Sequence, residues 1–196
     1  MLEENNVYGK EKGNIMDINI YDNILDQQFL DYINYTFRGM RWIPQSTLPN
    51  QVTPWFFSNE TIGDNIERDD YIFLFNIIIS IIAKEPEIKG KRIHLERGYV
   101  NLYPFGIGGE YHTDSAEDPK AGVLQKTILF YPSDWKEEYG GATEFQESGE
   151  KVEYKKNRLL MFDGSKPHRS AVHHNPKSRY TIAFKTHIGY KGGGYK

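Results

Sequence analysis

Two stretches place a carboxylate two residues after a histidine, His112-Thr113-Asp114 and His94-Leu95-Glu96. On an extended strand this spacing turns both side chains to one face, so either pair could offer two donor atoms to one metal ion. With six histidines in 196 residues, roughly 0.3 His-x-Asp matches arise by chance, so the surroundings must choose between the pairs. His94 and Glu96 fall in an alternating strand pattern whose polar face is read as solvated. His112 and Asp114 follow the irregular stretch Tyr103-Pro104-Phe105-Gly106-Ile107-Gly108-Gly109, and such loops are where a rigid sheet presents functional groups. His168, in Lys166-Pro167-His168-Arg169-Ser170, supplies a third donor.

Two imidazoles and one carboxylate leave three adjacent coordination positions open, which suits non-haem ferrous iron with a co-substrate and O2 on one side. With His112 and His168 neutral and Asp114 ionised, the centre carries about +1 and favours a bidentate anionic chelator such as a 2-oxo acid. If that acid is 2-oxoglutarate, its far carboxylate needs a cation and a hydroxyl donor in an otherwise apolar pocket. Arg179 and Thr181, two apart in Arg179-Tyr180-Thr181-Ile182-Ala183-Phe184, are the candidates. The same ligand set also permits hydrolytic zinc chemistry, or metal binding without turnover.

Composition narrows the field. The absence of cysteine removes disulfides, zinc-thiolate sites, iron–sulfur clusters and cysteine nucleophiles, so a metal must be held by His, Asp and Glu. A net charge of −3 and a pI near 6.1 give no broad basic surface, which disfavours nucleic acid and anionic membranes as partners. Residues 1–14 are polar and lack the apolar stretch of a secretory signal, so a cytoplasmic protein is expected. The most apolar run, Tyr71 to Ala83, is interrupted by Asn76 and Ser80 and falls short of the ~20 residues that span a bilayer.

These groups must be positioned by one domain over residues 1–196, with helical support at about 20–90, a core at about 91–190 and a tail at 191–196. Asp26 is the expected N-cap of a first helix whose apolar face is Phe29, Leu30, Ile33 and Phe37, with Gly39 as its stop. A second helix follows Asp69 and Asp70 and ends by Pro86. Between them, Trp42 to Asn59 carries Pro44, Pro49 and Pro54 among Trp55, Phe56 and Phe57, and reads as an aromatic covering loop rather than a central strand. Trp42 and Trp55 read as core more than as a substrate platform.

Strands are expected at Ile93–Tyr103, Thr127–Tyr131, Ala142–Phe145, Lys151–Tyr154, Leu159–Asp163, Ser170–His173 and Arg179–His187. So many short strands without intervening helices predict a mainly β chain with supporting N-terminal helices, closed as a jelly roll. His173 and His174 precede the turn signal Asn175-Pro176 and are read as solvated, as is His187.

Several motifs recur in one order: Asn101-Leu102-Tyr103-Pro104, Tyr111-His112-Thr113-Asp114, Thr127-Ile128-Leu129-Phe130-Tyr131-Pro132 and Gly140-Gly141-Ala142-Thr143-Glu144-Phe145. After them come Asn157-Arg158-Leu159-Leu160-Met161-Phe162, His168-Arg169-Ser170 and the Arg179 segment. Together, over about Val100 to Ile188, they resemble the iron(II)- and 2-oxoglutarate-dependent dioxygenases, in particular the prolyl-4-hydroxylase-like branch. The resemblance implies a double-stranded β-helix, and implies that Tyr103 and Tyr131 lend hydroxyls to 2-oxoglutarate. It also implies hydroxylation of a prolyl residue in a peptide or protein, with ascorbate as an accessory reductant. Small-molecule and nucleobase substrates are the rival targets. Where the hypoxia-sensing relatives carry a tryptophan six residues after the cosubstrate arginine, this sequence has Lys185.

Overall fold

The computed structural model describes residues 12–15, 18–38, 42–45, 56–61, 69–115 and 123–189. In chain order these form β1 (Lys12–Ile15), β2 (Ile18–Asp22), α1 (Gln27–Arg38), β3 (Ile43–Gln45), β4 (Phe56–Thr61), α2 (Asp69–Ile82) and β5 (Arg92–Tyr103). There follow β6 (Leu124–Tyr131), a 3-10 turn at Glu137–Tyr139, β7 (Thr143–Phe145), β8 (Lys151–Val152), β9 (Arg158–Asp163), β10 (His168–Ser170) and β11 (Arg179–Gly189). Eight strands make one sheet in the order β1-β2-β9-β6-β11-β5-β4-β3, and β10-β7-β8 make a second. The central pairings β2–β9, β9–β6, β6–β11 and β11–β5 join strands distant in sequence within this antiparallel pair of sheets, which is the winding of a double-stranded β-helix.

Period-two alternation sorts the core into two layers. On β11 the even positions Tyr180, Ile182, Phe184 and Ile188 join Val100, Ile128, Phe130, Leu159 and Met161 against the helices. The opposite face carries Leu129, Tyr131, Leu160, Phe162 and Ala183, packed against Phe145, Val152 and Tyr154 of the small sheet side. The helices cover the first face. In α1, the Asp26 carboxylate accepts a 2.8 Å hydrogen bond from the Phe29 amide, and Leu30, Ile33 and Phe37 are buried. A 12-residue helix is marginal in water by itself, so burial of that face sustains it. No helix of the described residues is long and apolar enough to cross a membrane.

Several expectations need correction. The two ends of the proline-rich loop are strands: β3 pairs with β4, and β4 pairs with β5. Proline is compatible with this because β3 is the sheet edge among the described residues, where the positions turned away from β4 have no ladder bond to lose. Trp55, Gly39 and the tail at 191–196 lie outside the described residues. The strand expected at Ser170–His173 lies earlier, at His168–Ser170, because it pairs with β7 through His168↔Phe145 and Ser170↔Thr143. His173 is fully buried, its Nε2–H donating to the Tyr103 carbonyl at 2.9 Å, with Trp135 against its ring. His187 belongs to β11 and meets Glu96 at 3.0 Å rather than lying in a solvated loop.

Asp22, at the end of β2, ties the N-terminal strands to the sheet. Arg158 grips it in a fork, Nε to Oδ1 at 2.7 Å and Nη2 to Oδ2 at 2.9 Å, and Lys155 adds a third bond at 2.8 Å. Burial alone raises the Asp22 pKa, but these cations outweigh it and hold the carboxyl below its ordinary value. The resulting stability is present above the unfolded-state pKa of about 3.9 and is lost as pH falls through the lower folded-state value. Asp22→Asn should therefore cost about 2–4 kcal/mol at neutral pH in urea titrations, narrowing toward wild type below about pH 3.9. An unchanged urea midpoint at pH 7 would contradict this account.

Candidate metal centre

His112 and His168 lie far apart in sequence and meet through the backbone. The His112 amide donates to the His168 carbonyl at 3.0 Å and the His168 amide returns a bond to His112 at 2.9 Å, an isolated antiparallel bridge. Their ring centroids stand 4.6 Å apart. Gly108 allows the connecting loop to approach, since a Cβ there would lie 2.8 Å from both the Ser170 carbonyl oxygen and the Val172 nitrogen. Asp114 is held by its amide on the Gly164 carbonyl and by the Thr127 hydroxyl, which donates to Oδ2 at 2.8 Å.

The donor atoms converge. His112 Nε2 is 3.7 Å from Asp114 Oδ1, His168 Nε2 is 3.5 Å from Oδ2, and one donor from each residue lies within 4.8 Å of the others. Two cis donors each about 2.1 Å from an ion stand about 3 Å apart, so a modest inward shift closes the set. Each imidazole also presents the correct nitrogen. Nδ1 of His112 donates to the Glu110 carbonyl and Nδ1 of His168 to the Lys166 carbonyl, both at 2.9 Å, which leaves the Nε2 lone pairs for a metal. Burial lowers the His168 pKa and keeps that ring neutral. Burial would raise Asp114, but charge from His168 and His112 whenever those rings are protonated, and the Lys185 ammonium at 2.9 Å at all times, hold it below its ordinary value.

Beside this cluster lies a buried cation. Arg179 is 1% exposed, its Nε donates to the Gly141 carbonyl at 3.0 Å, and it has no carboxylate partner among the described residues. Its guanidinium faces the rings of Tyr154, Tyr131 and Tyr103 at 4.9, 5.5 and 5.6 Å. Thr181 lies one inward step along β11, and its buried hydroxyl lacks a hydrogen-bond partner among the described residues. A buried cation and an orphaned hydroxyl together are the cradle a carboxylate needs. Gly141 keeps it open: its φ is +78°, and a Cβ would come within 3.2 Å of Arg179 Cδ. Tyr131 shares a 2.5 Å hydrogen bond with Thr143, and burial raises the pKa of both Tyr103 and Tyr131, keeping them protonated.

The structure gathers His112, Asp114 and His168 into one donor cluster and sets Arg179 against Tyr103 and Tyr131, with Thr181 two residues further along β11. Reading the sequence missed three contributors: Thr127 on Asp114, Tyr154 on Arg179, and Lys185, whose Nζ stands 2.9 Å from Asp114 Oδ1. Continuing the two-residue step from Arg179 and Thr181 reaches Lys185. Thr127 and Tyr154 give no comparable sequence signal, because strand register decides their contacts.

Residues 99–187 match the family described as the 2OG-Fe(II) oxygenase superfamily. Among curated protein sequences there is no match. Of solved structures, viral collagen prolyl hydroxylase from Paramecium bursaria Chlorella virus-1, in its 2-oxoglutarate complex, has a TM-score of 0.63 at 14% identity, covering 87% of this chain and 96% of that one. A Trichoplax adhaerens prolyl hydroxylase bound to a hypoxia-inducible-factor peptide reaches 0.64 at 19% identity, covering 87% and 83%. HygX from Streptomyces hygroscopicus, with nickel, 2-oxoglutarate and hygromycin B bound, reaches 0.64 at 11% identity, covering 90% and 84%. These likenesses establish a shared oxygenase fold, and the superfamily's reagents are Fe(II), 2-oxoglutarate and O2. The donor set fits that metal, having no thiolate and three open positions, and the Arg179–Thr181 cradle fits that dicarboxylate.

Proposed function

We propose that the chain is one oxygenase domain, residues 1–196, that hydroxylates an unactivated C–H bond of a prolyl residue in a peptide or protein. Substrate C–H, O2 and 2-oxoglutarate become C–OH, succinate and CO2. Bound ferrous iron supplies the electron chemistry of oxygen activation. His112, Asp114 and His168 hold the metal through two lone pairs fixed by carbonyl-bound Nδ1–H groups and one carboxylate braced by Thr127. Arg179 and Thr181 bind the distal carboxylate of 2-oxoglutarate, and protonated Tyr103 and Tyr131 donate hydrogen bonds around it. The aromatic wall of Tyr103, Tyr131 and Tyr154 excludes water and strengthens the carboxylate–guanidinium attraction. Ascorbate is the proposed accessory reductant.

The observation that carries the reading is the buried Arg179, which has no carboxylate partner among the described residues, together with three converged metal donors. A metal-binding module without turnover has no need of that cation. A second reading, the same chemistry on a small molecule, is favoured by one likeness, the hygromycin-bound HygX fold. The test is anaerobic loading with Fe(II) and 2-oxoglutarate, followed by O2 with proline-containing peptides, with and without ascorbate, while succinate is followed. Succinate dependent on both O2 and peptide is expected. Metal binding with no succinate from any substrate would favour the non-catalytic module, and oxygen-independent hydrolysis would favour zinc chemistry.

A further inference from the structure

The inward face of β5 carries one polar group that the metal donors and the Arg179 cradle leave unused. Val100 is buried against the helices, whereas Tyr99 packs into the inner layer and Tyr103 meets the Arg179 guanidinium. Strand alternation therefore turns Asn101 inward, between the two tyrosines. In the β5–β11 ladder Arg179 stands opposite Tyr103, and Thr181 stands opposite Asn101. Residues opposed in this way have Cβ atoms about 4.5–5.5 Å apart, close enough for the Asn101 carboxamide and the Thr181 hydroxyl to share one small ligand. On the other flank of β11, the pairing Ile182↔Phe130 brings Tyr131 level with Thr181. Asn101, Thr181 and Tyr131 thus form one row across three strands, a single inward step along from Arg179.

The two polar groups facing each other across the ladder are both unused among the described residues. The buried Thr181 hydroxyl has no partner, and the Asn101 side chain makes no hydrogen bond. They do not bond each other either, which leaves room for an acceptor between them. Asn101 is only half-buried, although Val100 and Tyr103 beside it are buried, so its carboxamide borders open space rather than packed core.

Desolvation selects what that space can take. A ligand seated on Arg179 and Thr181 strips water from Asn101, and a carboxamide left dry and unbonded is costly, whereas a bond to a charged acceptor is stronger than one to a neutral group. A carboxylate only accepts, so Nδ2–H is the end of the carboxamide that serves it. Asparagine adds this donor without adding charge. One guanidinium and two neutral donors therefore match a single carboxylate, with no second cation left to balance.

We propose that Asn101 is a cosubstrate-binding residue, its Nδ2–H donating to the distal carboxylate of 2-oxoglutarate alongside Arg179 and Thr181. The inference rests on the oxygenase reading and deepens it.

The test compares 2-oxoglutarate with 2-oxopentanoate, which keeps the chelating 2-oxo acid and carries a methyl group in place of the distal carboxylate. Binding of each acid to the manganese(II)-loaded protein is measured under argon by water-proton relaxation. Wild type should prefer 2-oxoglutarate by about a hundredfold or more. Asn101→Ala should cut that preference about tenfold, with 2-oxopentanoate affinity held within a few-fold. Asn101→Asp, of the same shape but anionic, should remove most of the preference, because two carboxylates then face each other. The preference is a ratio within one protein, so altered metal affinity or a smaller folded fraction does not imitate the effect. A preference unchanged in Asn101→Ala, equal losses for both acids, or Asn101→Asp discriminating no worse than Asn101→Ala overturns the proposal. Wild type that binds neither acid, or binds both alike, overturns the oxygenase reading and this inference with it.

Discussion

Arg179→Ala is expected to weaken 2-oxoglutarate binding by about two to three orders of magnitude, the consequence of removing one partner of a desolvated charge pair worth about 3–5 kcal/mol. The guanidinium is enclosed by three tyrosine rings and anchored by the Gly141 carbonyl, so water cannot substitute for it at the dicarboxylate's far end. Calorimetric titration of the manganese(II)-loaded protein reads the effect directly. Metal affinity should stay within a few-fold of wild type, which separates loss of the cradle from loss of the fold. Undiminished cosubstrate affinity would mean that another cation holds the acid.

The second large effect is expected at His168. Replacement by alanine should lower metal affinity by about a thousandfold or more, because it removes a donor whose nitrogen is already selected by the Lys166 carbonyl. His168 is 4% exposed, and burial pushes its pKa below the ordinary imidazole value. Proton competition for this ring in wild type therefore begins only as pH falls below about 6.5, and metal affinity should be lost on the acid side, not the alkaline side. Manganese(II) binding followed by electron paramagnetic resonance between pH 5 and 8 would show both results. Wild-type affinity in His168→Ala would remove this residue from the donor set.

Much of the site is legible in the sequence for a simple geometric reason. His112 with Asp114, and Arg179 with Thr181, are each pairs at a spacing of two, and a strand or extended loop puts such pairs on one side. The helices announce themselves as well, since Asp26 caps α1 and the face through Leu30, Ile33 and Phe37 is buried as its period demands. Contacts fixed by register are a different matter. Nothing in the string of residues says that Thr127 reaches Asp114, that Tyr154 covers Arg179, or that His173 turns inward to the Tyr103 carbonyl. These depend on which strands become neighbours. The same is true of β1 and β2, where β1 pairs with β2 and residues Asn19–Asp22 of β2 pair with the distant β9.

The reciprocal amide bonds between His112 and His168 fix the spacing of the two imidazoles before any ion arrives. A cradle assembled in advance by main chain discriminates poorly among first-row dications of similar radius, whose affinities then climb toward copper according to the intrinsic order of nitrogen and oxygen complexes. Mismetallation is accordingly the characteristic hazard of this architecture, and which ion resides there is governed by cellular supply more than by the shape of the protein.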